Sequence, residues 1–276
     1  MTTRDVIRGW EQRSDVSPQE RERIQREVQE HIRLRNLKES QEYNATRGDL
    51  NTKDGYDCPK CLNRGMIMRE DATVFFCSCR STRKALSRLA RLGLGNASRT
   101  LTFDAFTASA PWQQQLLDAA RAYAQQDQPG WLFIGGQSGC GKTHLCTAAA
   151  VALCHRGMDL HYMRWMKDSA HLKTLSLDER RSQLLDAFID APVLYIDDLF
   201  KSQPTEADKH LAFELLSARY DRDDRPTIIS CERTIAELFE IDEAIAGRIA
   251  ERAAPDFLLS IGRDRAKNYR LARALG

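Results

Sequence analysis

The sequence contains no apolar run approaching the roughly 20 residues that span a bilayer. Its first thirty residues are charged throughout, with no hydrophobic stretch ahead of a cleavage site. These absences predict an intracellular, cytoplasmic protein with no membrane contact. There is no excess of one charge either, since 41 Lys and Arg face 39 Asp and Glu. Net charge therefore announces no nucleic-acid binder, and only local basic clusters can provide one. Internal repeats and low-complexity segments are also missing, which sets aside repeat architectures. What remains is 276 residues, 42% of them hydrophobic, enough for one large domain or two smaller ones with a real core.

Eight cysteines in such a chain read as thiols or metal ligands rather than disulfides. Cys140, Cys146, Cys154 and Cys231 stand in apolar or glycine-rich surroundings and read as small buried thiols. The other four crowd into "CPKCLNRGMIMREDATVFFCSC", as Cys58-x₂-Cys61 and Cys77-x-Cys79. The first pair sits in a Pro-Lys turn that aims two thiolates at one ion, and the residues between the pairs can form a hairpin. Four sulfurs suit tetrahedral Zn²⁺, whose binding would order a segment too small for its own core. The second pair is tighter than the usual two-residue gap, and redox or incidental thiols are the alternatives.

Ser17-Pro18-Gln19-Glu20 opens a helix expected to run to about Tyr43. Its stripe of Ile24, Val28, Ile32 and Leu37 is narrow, so the helix either folds back on the cysteine module or docks on a partner. Residues 80–99 contain no acidic residue. Arg80, Lys84, Arg88 and Arg91 share one helical face there, while Leu86, Leu89 and Leu92 share another. Gly93, Gly95 and Asn96 break that helix, which puts a domain boundary between an N-terminal module of residues 1–95 and a second domain of residues 96–276.

Beyond residue 101 apolar runs alternate with helical patterns. Strands are expected at Trp131–Ile134, Leu160–Met163, Val193–Asp197, Thr227–Ser230 and Phe257–Ile261. Helix starts are marked by Ser176 with Glu179, Thr205 with Asp208 and Thr234 with Glu237. The alternation predicts an α/β fold, a parallel sheet covered by helices on both faces.

The segment from Gly136 to Thr143 fits G-x-x-x-x-G-K-[ST] between a strand and a helix. The glycines let consecutive N–H groups approach phosphate oxygens without a Cβ in the way. Gly136, Gln137, Ser138, Gly139, Cys140, Gly141, Lys142, Thr143 and His144 are thus the expected binding residues for ATP or GTP. Lys142 is placed to reach the β- and γ-phosphates and Thr143 to ligate Mg²⁺. "APVLYIDDLF" supplies a buried strand ending in carboxylates, Asp197 to hold Mg²⁺ through water and Asp198 to polarise the attacking water. At the end of a neighbouring strand, Ser230 or Glu232 can position that water, or simply cap the strand.

With these motifs in order, joined by "SARYDRDDRPTIISCER" and "IDEAIAGRIAER", the chain resembles the AAA+ ATPases of the DnaC-type helicase loaders, especially the phage and prophage variety. The likeness covers about residues 100–276 and extends more loosely through the cysteine module. It implies a P-loop AAA+ sheet domain preceded by a small helical, zinc-binding domain. Arg248 matches the family's arginine finger, which acts on a neighbouring subunit in a self-associated assembly; Arg252 is the fallback. Arg270 in "NYRLAR" resembles the second sensor. The resemblance also implies a hexameric, DnaB-type replicative helicase docked on the N-terminal module, and single-stranded DNA as the ATPase domain's partner. Either the basic face at Arg80, Lys84, Arg88 and Arg91 or the tail Arg263, Arg265, Lys267, Arg270 and Arg273 can neutralise phosphates. The pair Asp-Asp where most AAA+ proteins have Asp-Glu predicts slow, switch-like hydrolysis, and Cys231 with Glu232 leaves the first sensor open. A transposase-associated ATPase helper of the IstB type shares the core motifs and is the rival reading. More distant rivals are a small-molecule kinase and a module that binds nucleotide without hydrolysing it.

Overall fold

A computed structural model of the protein describes residues 17–175, 179–222 and 224–269. The chain forms two compact units that separate between Arg80 and Ser81.

The first unit opens with helix α1 (Pro18–Ala45), whose N-cap Ser17 accepts the Glu20 N–H at 3.3 Å. Helix α2 (Leu50–Asp54) leads to an antiparallel hairpin of β1 (Met66–Met68) and β2 (Val74–Phe76). Near the end of α1, Asn44 donates to the Met68 carbonyl at 2.8 Å and accepts the Met68 N–H at 3.0 Å. The C-terminal part of α1 therefore folds back on the cysteine hairpin, one of the two fates the narrow stripe allowed. Among the described residues of this unit, the buried ones are the four cysteines with Ser40 and Asn63, and the partly buried Tyr56 and Ile67 pack against the cysteines.

Helix α3 (Cys79–Arg91) carries the division in its first turn. The glycines at 93 and 95 do end this helix, yet they do not mark the division expected at residue 95. Ala85, Leu89 and Leu94 are buried in the second unit's core with Leu116 and Tyr123, so residues 81–95 belong to that unit. Of the expected basic face, Arg88 is ion-paired to Asp159.

The second unit continues with α4 (Ala97–Thr100), α5 (Pro111–Gln125), β3 (Trp131–Gly136), α6 (Lys142–His155), β4 (Leu160–Arg164) and α7 (Trp165–Thr174). There follow α8 (Glu179–Ile189), β5 (Val193–Leu199), α9 (Glu206–Tyr220), β6 (Thr227–Cys231), α10 (Ile235–Phe239), α11 (Glu243–Phe257), β7 (Leu258–Ile261) and a 3₁₀ turn (Arg265–Lys267). All five expected strands form, although Phe257 closes α11 instead of opening β7. The Thr205 and Thr234 caps form as reciprocal capping boxes; the Ser176 cap lies outside the described residues.

The sheet order is β4-β5-β6-β3-β7, parallel throughout. Alternate residues of β3, β5 and β6 enter two separate cores. Leu132, Ile134, Tyr195 and Ile228 pack on one face, and Trp131, Phe133, Leu194, Ile196 and Ile229 on the other. Burial on both faces is why these strands read as continuous apolar runs. At the end of α9, the fully buried Arg219 donates to the carbonyls of Phe188, Ile189, Ala191 and Pro226 at 2.8–3.0 Å. It ties the ends of α8 and the starts of β5 and β6 together, and burial lowers its pKa to about 10, so it stays charged at neutral pH. No helix of the described residues is long and apolar enough to cross a membrane.

Candidate functional site

The loop between β3 and α6 turns through left-handed backbone at Gly136 (φ +126°) and Gly141 (φ +96°). A Cβ at Gly136 would run into the Ile261 carbonyl of β7, and Gly141 is the N-cap of α6, so both positions require glycine. Lys142 is buried, and its Nζ donates to the Gln137 carbonyl at 2.7 Å. The Gln137 side chain makes a reciprocal pair with residue 264, donating to the Asp264 carbonyl and accepting its N–H, both at 2.7 Å. Tyr269 N–H donates to the Gly139 carbonyl at 2.9 Å. The loop is thus tied to the segment that follows β7. His144 lies on α6, its Nε2 at 2.7 Å from the Thr102 carbonyl and its ring edge-on to Phe106.

The two aspartates sit in different surroundings. Asp197 receives hydroxyls from three strands and one helix: Thr143 at 3.2 Å, Tyr195 at 2.9 Å and Ser230 at 2.6 Å on Oδ1, with Tyr162 at 2.9 Å on Oδ2. Burial, reinforced by the nearby Asp197 charge, pushes both phenols well above their ordinary pKa, so they serve as donors. Asp198 has left-handed backbone (φ +60°) where the β5–β6 register slips, and its N–H donates to Ser230 Oγ at 2.8 Å. Its Oδ2 is 2.6 Å from Lys201 Nζ.

Strand β6 lies between β3 and β5, and Ser230 near its C-terminal end consequently touches both aspartates. Glu232, the other candidate, lines the cleft, and the intervening Cys231 thiol donates to the Leu199 carbonyl at 3.1 Å. Lys142, Thr143, Asp198, Lys201 and Glu232 line one cleft of about 690 Å³ together with Leu101, Phe106, Thr107 and Tyr269. A cleft of that size with apolar and aromatic walls suits a nucleotide. Arg248 is elsewhere: on α11 it donates to the Ala244 carbonyl at 2.9 Å and lies over the rings of Phe213 and Tyr220. Arg252 lies over Tyr220 as well, and Arg270 and Arg273 fall outside the described residues.

In the first unit the four cysteine sulfurs lie within 4.8 Å of one another and all four residues are buried. Cys58 and Cys77 sulfurs are 3.9 Å apart, and Cys61 and Cys79 sulfurs 3.6 Å. A tetrahedron with Zn–S bonds of about 2.3 Å has S···S edges of about 3.8 Å, so the donor set fits a zinc ion. Burial raises the Cys61 thiol, but the Gly65 N–H at 3.3 Å and the neighbouring sulfurs outweigh it and bring the group to about 7. Asn63, fully buried and left-handed (φ +69°), accepts the Cys58 N–H at 2.8 Å and shapes the turn between the first two ligands.

Sequence reasoning missed Tyr162, Tyr195, Lys201, Phe106, Tyr269 and Asn63. Asn63 alone left a usable trace, since an asparagine two residues before Gly65 readily takes left-handed backbone. The tyrosines looked like ordinary strand formers.

Residues 64–254 match the family described as IstB-like ATP binding protein, and the chain belongs to that family. A relative within reach of direct alignment is the phage-like element PBSX protein XkdC of Bacillus subtilis (strain 168), 30% identical over 236 residues, which are 78% of this chain and 86% of that protein. Among solved structures, AMPPCP-bound DnaA from Aquifex aeolicus superposes with a TM-score of 0.51 at 16% identity, over 62% of this chain and 52% of that one. A putative primosome component from Streptococcus pyogenes serotype M3 gives 0.50 at 15% identity, over 64% of this chain and 96% of that one. These structural likenesses concern the fold alone, a five-stranded parallel sheet covered by helices.

Proposed function

We propose that the protein is an ATP-controlled adaptor that delivers a hexameric, DnaB-type replicative helicase to single-stranded DNA during replication. ATP binding and hydrolysis switch its assembly. The observation that carries this reading is the division of the site: the P-loop lysine and Asp198 line one cleft, with Asp197 joined to it through Thr143, whereas Arg248 stands on α11, over the rings of Phe213 and Tyr220. Among the described residues the cleft's lining contains no arginine, so in this reading a second subunit supplies Arg248, which makes hydrolysis conditional on self-association.

In this reading Lys142 and the loop amides hold the phosphates, and Thr143 with Asp197 holds Mg²⁺. The ion, when bound, neutralises charge developing between the β- and γ-phosphates. Tyr162, Tyr195 and Ser230 fix the Asp197 carboxylate, Asp198 accepts the proton of the attacking water, and Arg270 contributes as second sensor. Cys58, Cys61, Cys77 and Cys79 hold Zn²⁺, which shapes the N-terminal unit, residues 1–80, as the helicase-docking part. The phage-like relative and the primosome-component neighbour support this setting by their names.

Mixing the full chain with DnaB-type helicases and ATP is expected to give a stoichiometric complex by size-exclusion chromatography with light scattering. Recovery of a transposase in place of any helicase would support the second reading, an ATPase helper of transposition, which the IstB-like family match favours. Arg248→Ala is expected to keep ATP affinity within about twofold while hydrolysis falls roughly 10³-fold. Mixing it with Lys142→Ala protein should restore turnover in part, because each variant supplies what the other lacks. If mixing restores nothing and Arg248→Ala hydrolyses normally, the arginine has no role in a neighbour's site.

A further inference from the structure

We infer that Lys201 is a second phosphate-selecting cation of the cleft, one that distinguishes ATP from ADP by exchanging between the Asp198 carboxylate and the γ-phosphate. The inference rests on the nucleotide reading of the cleft and adds a residue to which no role in it has been given.

The geometry begins with the chain reversal after β5. Asp198 and Phe200 both have left-handed backbone, φ +60° and +50°. Such a conformation is disfavoured for a phenylalanine, and packing must hold it. Phe200 is buried edge-on against Trp165, with ring centroids 5.4 Å apart. The turn closes with the Lys201 N–H donating to the Asp198 carbonyl at 3.1 Å. Residues 198 and 201 are thereby brought side by side, and the ammonium reaches Asp198 Oδ2 at 2.6 Å. The Lys201 side chain remains about half exposed and lines the cleft alongside Lys142 and Thr143.

Consider what a nucleotide meets there. Thr143 touches Asp197, the residue next to Asp198, so the carboxylates stand at the part of the cleft where the P-loop helix begins and the terminal phosphate belongs. A γ-phosphate entering beside Asp198 brings like charges together, and Lys201 is the cation already positioned between them. Its ammonium has three donors, and a doubly charged phosphate competes with a single carboxylate for them. ADP brings no such competitor, and Lys201 then stays on Asp198, whose Oδ2 is engaged and unavailable to a water molecule. A cation that contacts one nucleotide and ignores the other changes their relative affinities, as a nucleotide switch requires. Lys201 thus also frees Asp198 only when there is a γ-phosphate to cleave.

The test compares Lys201→Met, which keeps the aliphatic stem, with Lys201→Arg in the full chain. Equilibrium titration with fluorescent ATP and ADP analogues in Mg²⁺ is expected to show ATP affinity about tenfold weaker in Lys201→Met and ADP affinity within twofold of wild type. Lys201→Arg should retain most of the preference. The inference is overturned if Lys201→Met weakens both nucleotides equally, which is a structural effect, or if it leaves their ratio unchanged. If the wild-type chain binds neither nucleotide, the nucleotide reading itself fails, and that result is distinct from either.

Discussion

Lys142→Ala protein is expected to bind ATP at least a hundredfold more weakly than wild type while melting within a few degrees of it. Two effects compete in this substitution. Lys142 is 5% exposed, so truncation opens a small void, but the side chain lines the cleft rather than either core and the cost in stability is modest. The loss to binding is larger. Two charge-assisted hydrogen bonds to phosphate oxygens, at about 1.5–3 kcal/mol each, are worth roughly 3–6 kcal/mol together. At 1.4 kcal/mol per decade, that is about two to four decades in Kd. The loop amides and the α6 N-terminus remain, so binding weakens without vanishing. Equilibrium titration with a fluorescent ATP analogue measures this directly. Unchanged affinity would remove Lys142 from the site and the adaptor reading with it.

The second large effect lies in the cysteine module. Cys61→Ser is expected to lose one equivalent of bound zinc and to unfold the hairpin, while ATP binding by the second unit persists. The reason is the composition of the first unit's interior, in which the four sulfurs stand where aliphatic side chains would otherwise be. A segment this small has no other source of stability on the required scale, and structural zinc supplies about 10–16 kcal/mol of apparent binding energy at neutral pH. Serine offers a hard, protonated oxygen in place of a thiolate, and the remaining three sulfurs cannot close the tetrahedron. Metal content by atomic emission and the dispersion of hairpin amide resonances in the full chain are the measurements. A hairpin that stays ordered after chelation or Cys61→Ser would show that the cluster holds no structural ion. Protons compete for the sulfurs, so zinc should be released when the pH is taken well into the acidic range.

The parts of the site that could be read in advance are those in which one ligand imposes fixed spacing on neighbouring residues. The P-loop is such a part, because a phosphate cradle needs glycines, lysine and threonine at set intervals. Cys58 and Cys61 are another, because two thiolates must reach one ion. Asp197 and Asp198 were legible because carboxylates at the end of an apolar strand are costly unless used. Tyr162 was not, since its hydroxyl meets Asp197 only through the pairing of β4 with β5, and neither strand's sequence records its neighbour; Tyr195, two residues before Asp197 on β5, read as an ordinary strand former. Lys201 looked like any exposed lysine until the left-handed turn brought it to Asp198. The boundary expected at residue 95 failed for a related reason. Glycines report where a helix stops, whereas membership of a unit depends on which core receives Ala85 and Leu89.

The insertion of β6 between β3 and β5 also acts as a gauge. With neighbouring strands about 4.8 Å apart, one interposed strand sets the phosphate loop and the acidic pair roughly 10 Å apart at their strand ends. The width of that interval is fixed by a count of backbone rungs rather than by any residue lining it. Side chains on the rim can therefore drift during evolution, in length or in charge, without altering the span they face.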